Sequence, residues 1–151
     1  MDAVTYPNDD VQALLDERAV PYKPQIDENK DFAKRMGVVW TPGLLWLTPQ
    51  GDLAHSNVGY FEPEEFQAEL VFGFGKVAAV QRDWKAARRS FDEVADRWPE
   101  SFAAPAALYW AGVAGKNATD DVAPLKAAWN RLLDEHPESA WAMKVSFLRE
   151  T

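Results

Sequence analysis

Few side chains in this 151-residue chain could carry out catalysis. The sequence contains no cysteine, which excludes a thiolate nucleophile, a disulfide framework and thiolate metal ligands. Its two histidines, His55 and His136, lie far apart in sequence. We expect His55 on the surface of an edge strand, and His136 at a helix C-terminus, where a protonated imidazole is stabilised by the helix dipole. We therefore assign no catalytic residue and no metal ligand.

Acidic side chains are clustered over residues 9–10, 62–65 and 120–121. Carboxylates in pairs can bind metal ions or catalyse hydrolysis, but each of these clusters lies at the start of a predicted helix. A negative charge is stabilised there by the helix dipole. We interpret the clusters as helix-start residues, and expect neither a metal ion nor any other cofactor.

The composition is typical of a globular chain, with 47% hydrophobic and 26% charged residues. A net charge of −8 disfavours the electrostatic attraction on which nucleic-acid binding depends. No apolar run approaches the about 18 residues of a membrane span, and the first ten residues do not form a secretory signal. We expect no nucleic-acid or membrane partner. A cytoplasmic location is predicted for the chain as given, whereas a longer native product could be exported.

Caps, apolar spacing and prolines define the elements of the first part of the chain. Asn8 is a suitable N-cap for a helix of about three turns. Residues 19–26 alternate apolar and polar side chains, but Pro21 and Pro24 lack amide donors, so this segment is predicted as an edge strand. A second short helix follows and is predicted to end at Gly37.

A hairpin is predicted directly after residues 40–42, Trp-Thr-Pro. Residues 44–47 are too short and too apolar for an amphipathic surface helix, and therefore predict a buried strand. Residues 48–51 predict a tight turn. Residues 53–60 then predict a second, antiparallel strand, in which Gly59 marks a bulge or a close approach.

A helix is also predicted over residues 62–81. The order of all these elements resembles that of the thioredoxin fold from its middle to its end. The residues that carry the resemblance are Asp27, Phe32, Gly37, Val38, Thr41, Pro42, strand 44–47, Gly51 and Gly59. The resemblance implies a cis bond before Pro42 and a loop that binds extended peptide. It thus assigns Trp40, Thr41 and Pro42 as peptide-binding residues. For Trp40, burial against the helix of Phe32 is the alternative.

The thioredoxin-like family has a further strand and a Cys-x-x-Cys motif, which the resemblance places before Met1. That strand is central in the family, between the segments that match residues 19–26 and 44–47. Its absence predicts two unpaired strand edges. We expect either a truncated start or deliberate fragment of a longer product, or a degenerate fold. In the latter, a neighbouring protomer, a rearranged N-terminus or direct pairing of the two strands fills the gap. A homodimer that completes the sheet is therefore a candidate assembly.

The second half of the chain contains an internal repeat. Residues 91–101 (FDEVADRWPES) are echoed 38 residues later by residues 129–139 (WNRLLDEHPES). Each copy predicts a helix that is stopped by a proline, after which Ser101 or Ser139 is the N-cap of the next helix.

The helices after these caps are predicted over residues 102–114 and 140–148, with a polar loop over residues 115–120. This helix-turn-helix unit resembles tetratricopeptide repeats, whose usual period is about 34 residues. Five tryptophans lie at helix-packing positions and are predicted to belong to the core: Trp84, Trp98, Trp110, Trp129 and Trp141.

The fold class predicted from these patterns is α/β, an incomplete thioredoxin-like fold over residues 1–75, followed by an all-α tetratricopeptide-like region over residues 76–151. Two functions are compatible with it. One is a non-catalytic, redox-inactive module that binds a peptide or protein partner. The alternative is a truncated thiol-disulfide oxidoreductase or thiol-dependent chaperone whose reactive cysteines lie upstream of Met1. In either case we expect no thiol activity from these 151 residues.

Overall fold

Helices make up most of the computed structural model, which describes residues 1–150. Seven α-helices accompany one antiparallel sheet of two strands within these residues. In chain order the elements are α1 (Asp9–Arg18), α2 (Lys30–Arg35), β1 (Gly43–Leu47), β2 (Leu53–Val58), α3 (Pro63–Val80), α4 (Trp84–Arg97), α5 (Ala104–Thr119), α6 (Ala123–Glu135) and α7 (Ala140–Met143). Short 3₁₀ helices span Ile26–Glu28 and Ser146–Glu150. No helix in this part of the chain has the length and apolarity needed to cross a bilayer.

The two short helices of the first part begin and end where the sequence predicts. Asn8 Oδ1 accepts hydrogen bonds from the amides of Asp10 at 3.1 Å and Val11 at 3.2 Å, so it is the N-cap of α1. Gly37 follows α2 with φ of +69°, a left-handed conformation that glycine adopts without steric cost.

The predicted edge strand over residues 19–26 is wrong. Residues 19–25 have no regular secondary structure, and Ile26 begins a 3₁₀ helix. Alternation alone does not make a strand, because a strand needs a hydrogen-bonded neighbour. Here the only paired strands among residues 1–150 are β1 and β2, and Pro21 and Pro24 remove two donors from the segment. Residues 1–7 form turns, so neither they nor residues 19–26 pair with β1.

The hairpin of β1 and β2 has the predicted antiparallel pairing. Gly43 lies opposite Val58 and Trp46 lies opposite His55. The register then shifts by one residue between Trp46 and Leu47, so the bulge falls beside Ala54 and not at Gly59. The prediction of a bulge or close approach at Gly59 is therefore wrong.

Gly59 instead ends the second strand with φ of +123°, and no atom would lie within 4 Å of a Cβ there. Its conformation, rather than its small size, explains the glycine. The turn at the other end of the hairpin is closed by Gly51 N, which donates to Thr48 O at 2.8 Å. The Thr41–Pro42 peptide bond is cis, as the sequence predicts.

Helix α3 packs against the hairpin and against α4. It begins at Pro63, close to the predicted position, and is buried almost continuously from Phe66 to Gly73. Trp46 of β1 covers Gly73, because a Cβ added at Gly73 would collide with the indole ring. Two residues further on, a Cβ at Gly75 would lie 2.6 Å from the Phe91 ring of α4. The boundary predicted between residues 75 and 76 falls within this helix.

The helices after α3 pack in chain order, α3 on α4, α4 on α5 and α5 on α6. Ser139 Oγ accepts a hydrogen bond from Ala142 N at 3.0 Å and is the predicted N-cap of α7. Ser101 is not an N-cap, because α5 starts at Ala104 and the buried Ser101 hydroxyl has no hydrogen-bond partner. Helix α7 ends at Met143, earlier than predicted, and a 3₁₀ helix follows it.

The polar loop predicted over residues 115–120 is also wrong, since α5 continues to Thr119. Gly115 does not interrupt the helix. Arg88 and Pro124 pack closely on it, because a Cβ there would overlap the Arg88 guanidinium and lie 2.8 Å from Pro124 Cβ. The helix ends instead at Asp120, which has a left-handed conformation with φ of +56°.

The tryptophans of the helical region belong to the apolar core, as predicted. Trp98 is fully buried. The other four are half-buried and pack against the two clusters of buried apolar side chains: Trp84, Trp110, Trp129 and Trp141. Trp129 Nε1 also donates a hydrogen bond to Tyr109 O at 3.1 Å, which satisfies its one polar atom.

Candidate binding site at the loop before the hairpin

The loop of residues 38–42 connects α2 to β1, and is anchored at both ends. Val38 N donates to Ala33 O at 2.9 Å, which fixes the start of the loop on α2. Pro42 O accepts from Gly59 N at 2.9 Å, which fixes its end on the hairpin. Between these anchors Trp40 and Thr41 lie on the surface.

Trp40 is 70% exposed, and its neighbour Val39 is 88% exposed. The structure therefore rules out the alternative in which Trp40 is buried against the helix of Phe32. Both side chains are thus in contact with water, and their removal from water on binding would be favourable.

An open apolar groove of about 270 Å³ lies against this loop. Its lining consists of Ile26, Val38, Val39, Trp40 and Thr41. The close fold of the loop against the sheet depends on Gly43, since a Cβ there would lie 3.2 Å from Trp40 O and 3.3 Å from Val38 Cγ1.

A second open groove has a volume of about 490 Å³. Its lining starts at Asp27, directly after Ile26 of the apolar groove. Five of its six lining residues are polar and three are acidic: Asp27, Glu28, Asn29, Lys30, Asp31 and Phe32. The apolar groove and the acidic groove therefore meet at the 3₁₀ helix Ile26–Glu28. Of the three predicted peptide-binding residues, Trp40 and Thr41 line the apolar groove, whereas the half-buried Pro42 adjoins it in sequence.

The prediction that His55 is a surface residue is wrong. Only 18% of its side chain is exposed, and Nε2 is hydrogen-bonded to Glu69 Oε1 of α3 at 2.7 Å. Asn57 Nδ2 donates to the same oxygen at 2.8 Å. The imidazole lies between two rings, with its centroid 5.0 Å from that of Trp46 and 5.1 Å from that of Phe72.

A signal for this cluster was present in the sequence. Glu69 is the one carboxylate within the mostly apolar stretch of α3 from Phe66 to Gly73, and a buried carboxylate needs polar partners on the facing element. Strand alternation places His55 and Asn57 on one face of β2, which supplies both. The cluster lies under the hairpin and lines neither groove, so its role is to hold the hairpin on α3.

The remaining polar candidates are structural as well. His136 is the C-cap residue of α6, at the predicted helix terminus, and its buried Nε2 has no hydrogen-bond partner. Asp121 Oδ1 accepts from Ala123 N at 2.9 Å, next to the start of α6. Within residues 1–150 there is no group of three or more side chains that could hold a metal ion.

The lining of the apolar groove consists of four apolar side chains and Thr41. Its apolar wall and exposed indole suit an aliphatic or aromatic side chain, and its open shape suits a chain that continues beyond that side chain. Comparisons of this chain with protein-family models, with curated proteins and with solved structures gave no match.

Proposed function

We propose that this protein is a non-catalytic interaction module that binds an extended polypeptide at the loop of Trp40, Thr41 and Pro42. The observation that carries the proposal is the exposure of Trp40 and Val39 at the rim of the apolar groove. Tryptophan is enriched among the residues that contribute most of the binding energy at protein interfaces.

The proposal includes a thioredoxin-like ancestry for the first half of the chain and a tetratricopeptide-like one for the second. Support for the first is the order α2, Thr-Pro loop, hairpin and α3. Support for the second is the succession of helices, each packed on the next, that carry the Pro-Glu-Ser repeat. Both kinds of unit commonly present surfaces to other polypeptides.

The test is binding of a permanently unfolded polypeptide, for example reduced and alkylated α-lactalbumin carrying a fluorescent label, followed by anisotropy. We expect Trp40→Ala to weaken binding roughly tenfold or more, as for an interface anchor, with unchanged circular dichroism and melting temperature. Phe102→Ala is the matched control, since Phe102 is an aromatic residue that is even more exposed than Trp40 and lines neither groove. Equal affinity of the two variants, or no binding by the unmodified protein, would contradict the proposal.

A further inference from the structure

The strand β1 has one edge that is paired with β2 and one edge that is free. Pro42 O accepts from Gly59 N, and the register continues with Leu44 opposite Asn57. In an antiparallel ladder, alternate residues exchange hydrogen bonds with the same neighbour. Leu44 and Trp46 therefore direct their backbone groups towards β2, whereas the residues between and beside them direct theirs outward.

The outward residues of β1 are Gly43, Leu45 and Leu47. No strand among residues 1–150 pairs with this edge, and these three residues make no backbone hydrogen bond outside the hairpin. Natural proteins usually protect a free edge with a charged residue, a proline or a bulge in the strand. The sequence of β1, GLLWL, contains no charged residue or proline, and its Leu47 is 36% exposed.

The opposite edge of the hairpin is different. Its strand β2 has the sequence LAHSNV, with polar side chains at three successive positions and the bulge beside Ala54. Asn57 Oδ1 accepts from Val58 N at 2.8 Å, which satisfies one outward amide within the strand. Only the edge of β1 is thus both apolar and unprotected.

We propose that β1 pairs with β1 of a second copy of this chain, antiparallel and about a two-fold axis that passes through Leu45. The result is a four-stranded sheet in the order β2-β1-β1-β2. This inference is independent of the peptide-binding function proposed above.

The symmetry of the strand itself favours a second copy over other occupants. The three outward residues are the first, third and fifth of a five-residue strand, so an axis at Leu45 brings every outward group opposite another. Leu45 then exchanges two hydrogen bonds with Leu45 of the second copy, and Gly43 pairs with Leu47 of that copy.

Charge does not oppose this pairing. The chain has a net charge of −8, but β1 contributes none of it, so two copies meet along a neutral, apolar edge. Pairing of two copies hydrogen-bonds the outward backbone groups of β1 in each of them.

The absence of cysteine permits a direct test of the register. In the proposed dimer the two Leu45 Cα atoms lie about 5.5 Å apart, within the range that a disulfide bridges. We expect Leu45→Cys to form a covalent dimer under mild oxidation. Ser56→Cys is the matched control, because Ser56 lies opposite Leu45 on β2 and would be about 14 Å from its symmetry mate, three strand spacings away. Failure of Leu45→Cys to cross-link, or equal cross-linking of both variants, overturns the proposal.

Sedimentation velocity of the cysteine-free protein provides a second measurement. We expect a species of twice the 17.0 kDa chain mass at micromolar concentration. Leu45→Pro removes an outward amide without breaking a hydrogen bond to β2, and should give a folded monomer. Ser56→Pro makes the same change on the other edge and should remain dimeric. A wild-type monomer, including one that binds extended peptides along β1, overturns the proposal, as does a dimer that Leu45→Pro leaves intact.

Discussion

Arg18 at the end of α1 forms a two-point ion pair with Glu93 in α4, through Nη1 and Oε2 at 2.8 Å and through Nη2 and Oε1 at 3.2 Å. Arg97 Nη1 also donates to Glu93 Oε1 at 2.9 Å. The pair joins residues 75 positions apart and ties the first helix of the chain to the helical repeats. Glu93 is therefore a tertiary contact between the two predicted regions.

The Glu93 pair predicts a pH-dependent part of the stability. Burial acts to raise the pKa of Glu93, but hydrogen bonds from Arg18 and Arg97 outweigh it, so the pKa lies below the ordinary 4.5. A carboxyl with a lowered folded-state pKa stabilises the fold above its unfolded-state pKa, and this contribution is lost as the pH falls through the folded-state pKa. Glu93→Gln should lower the free energy of unfolding by about 1 kcal/mol at neutral pH.

Urea unfolding across pH measures this effect. The difference between Glu93→Gln and wild type should shrink as the pH falls from the unfolded-state pKa through the lower folded-state pKa of Glu93, below which the carboxyl is protonated in both folded and unfolded chains. Asp92→Asn is the control, because Asp92 pairs only with Arg88 of the same helix and should change stability by about 0.5 kcal/mol or less. A difference that persists unchanged in acid would contradict the assignment.

The two serines of the internal repeat should respond differently to the same substitution. Ser139→Ala removes the N-cap bond to Ala142 N and should destabilise the protein by about 1 kcal/mol. Ser101→Ala removes a buried hydroxyl that has no partner and should be neutral or slightly stabilising. Thermal melts measure both variants, and each variant is the control for the other. Equal losses of stability would show that Ser101 is also an N-cap.

The cluster of His55 and Glu69 should contribute to the attachment of the hairpin. His55→Phe keeps the ring between Trp46 and Phe72 but removes the hydrogen bond to Glu69, and should cost about 2–3 kcal/mol because the buried carboxylate loses a partner. Adding Glu69→Leu should recover part of this loss, since the buried carboxylate is removed together with its imidazole partner, while Asn57 Nδ2 loses its acceptor. Chemical denaturation measures both, and a double variant no more stable than His55→Phe alone would contradict this account.

Gly73→Ala should destabilise the protein although alanine is the better helix former. The added methyl group would collide with the buried indole of Trp46, and overpacking of this kind costs about 1–3 kcal/mol, more than the gain of up to about 1 kcal/mol in helix propensity. Gly112→Ala is the comparison, because there the Cβ would lie 2.9 Å from Trp129, a less severe overlap than the one at Gly73. A melting temperature of Gly73→Ala above wild type would show that Trp46 does not occupy this position.

Local signals predicted the elements that local interactions define. The Asn8 cap, the glycine after α2 and the turn at Gly51 each depend on residues a few positions apart, and each is found where the sequence places it. The same holds for the start of α3 at a proline. Caps, turns and helix starts that depend on neighbouring residues can therefore be predicted without knowledge of the rest of the chain.

Features that depend on a distant neighbour were not predictable in this way. Residues 19–26 have a strand-like pattern but no strand beside them, and Gly115 resembles a helix end until Arg88 and Pro124 are seen to pack on it. The prediction that His55 lies on the surface is wrong because its partner, Glu69, lies on another element. The position of this carboxylate within a buried helix was the available signal. At the candidate site, Trp40, Thr41 and Pro42 could be selected from the sequence as candidates. The exposure of the Trp40 side chain, however, is a property of the folded chain and could not be predicted.

Helix α3 has a glycine on each of two sides, and each receives an aromatic ring from a different part of the chain. Gly73 and Gly75 lie about 200° apart around the helix axis, so Trp46 of the hairpin and Phe91 of the repeats contact opposite faces of one rod. Sliding or rotation of α3 would disturb both contacts together. A single partner that touches the hairpin and the repeats would therefore meet two surfaces at a fixed spacing, and its second contact would form at a high effective concentration without the entropy cost of a flexible linker.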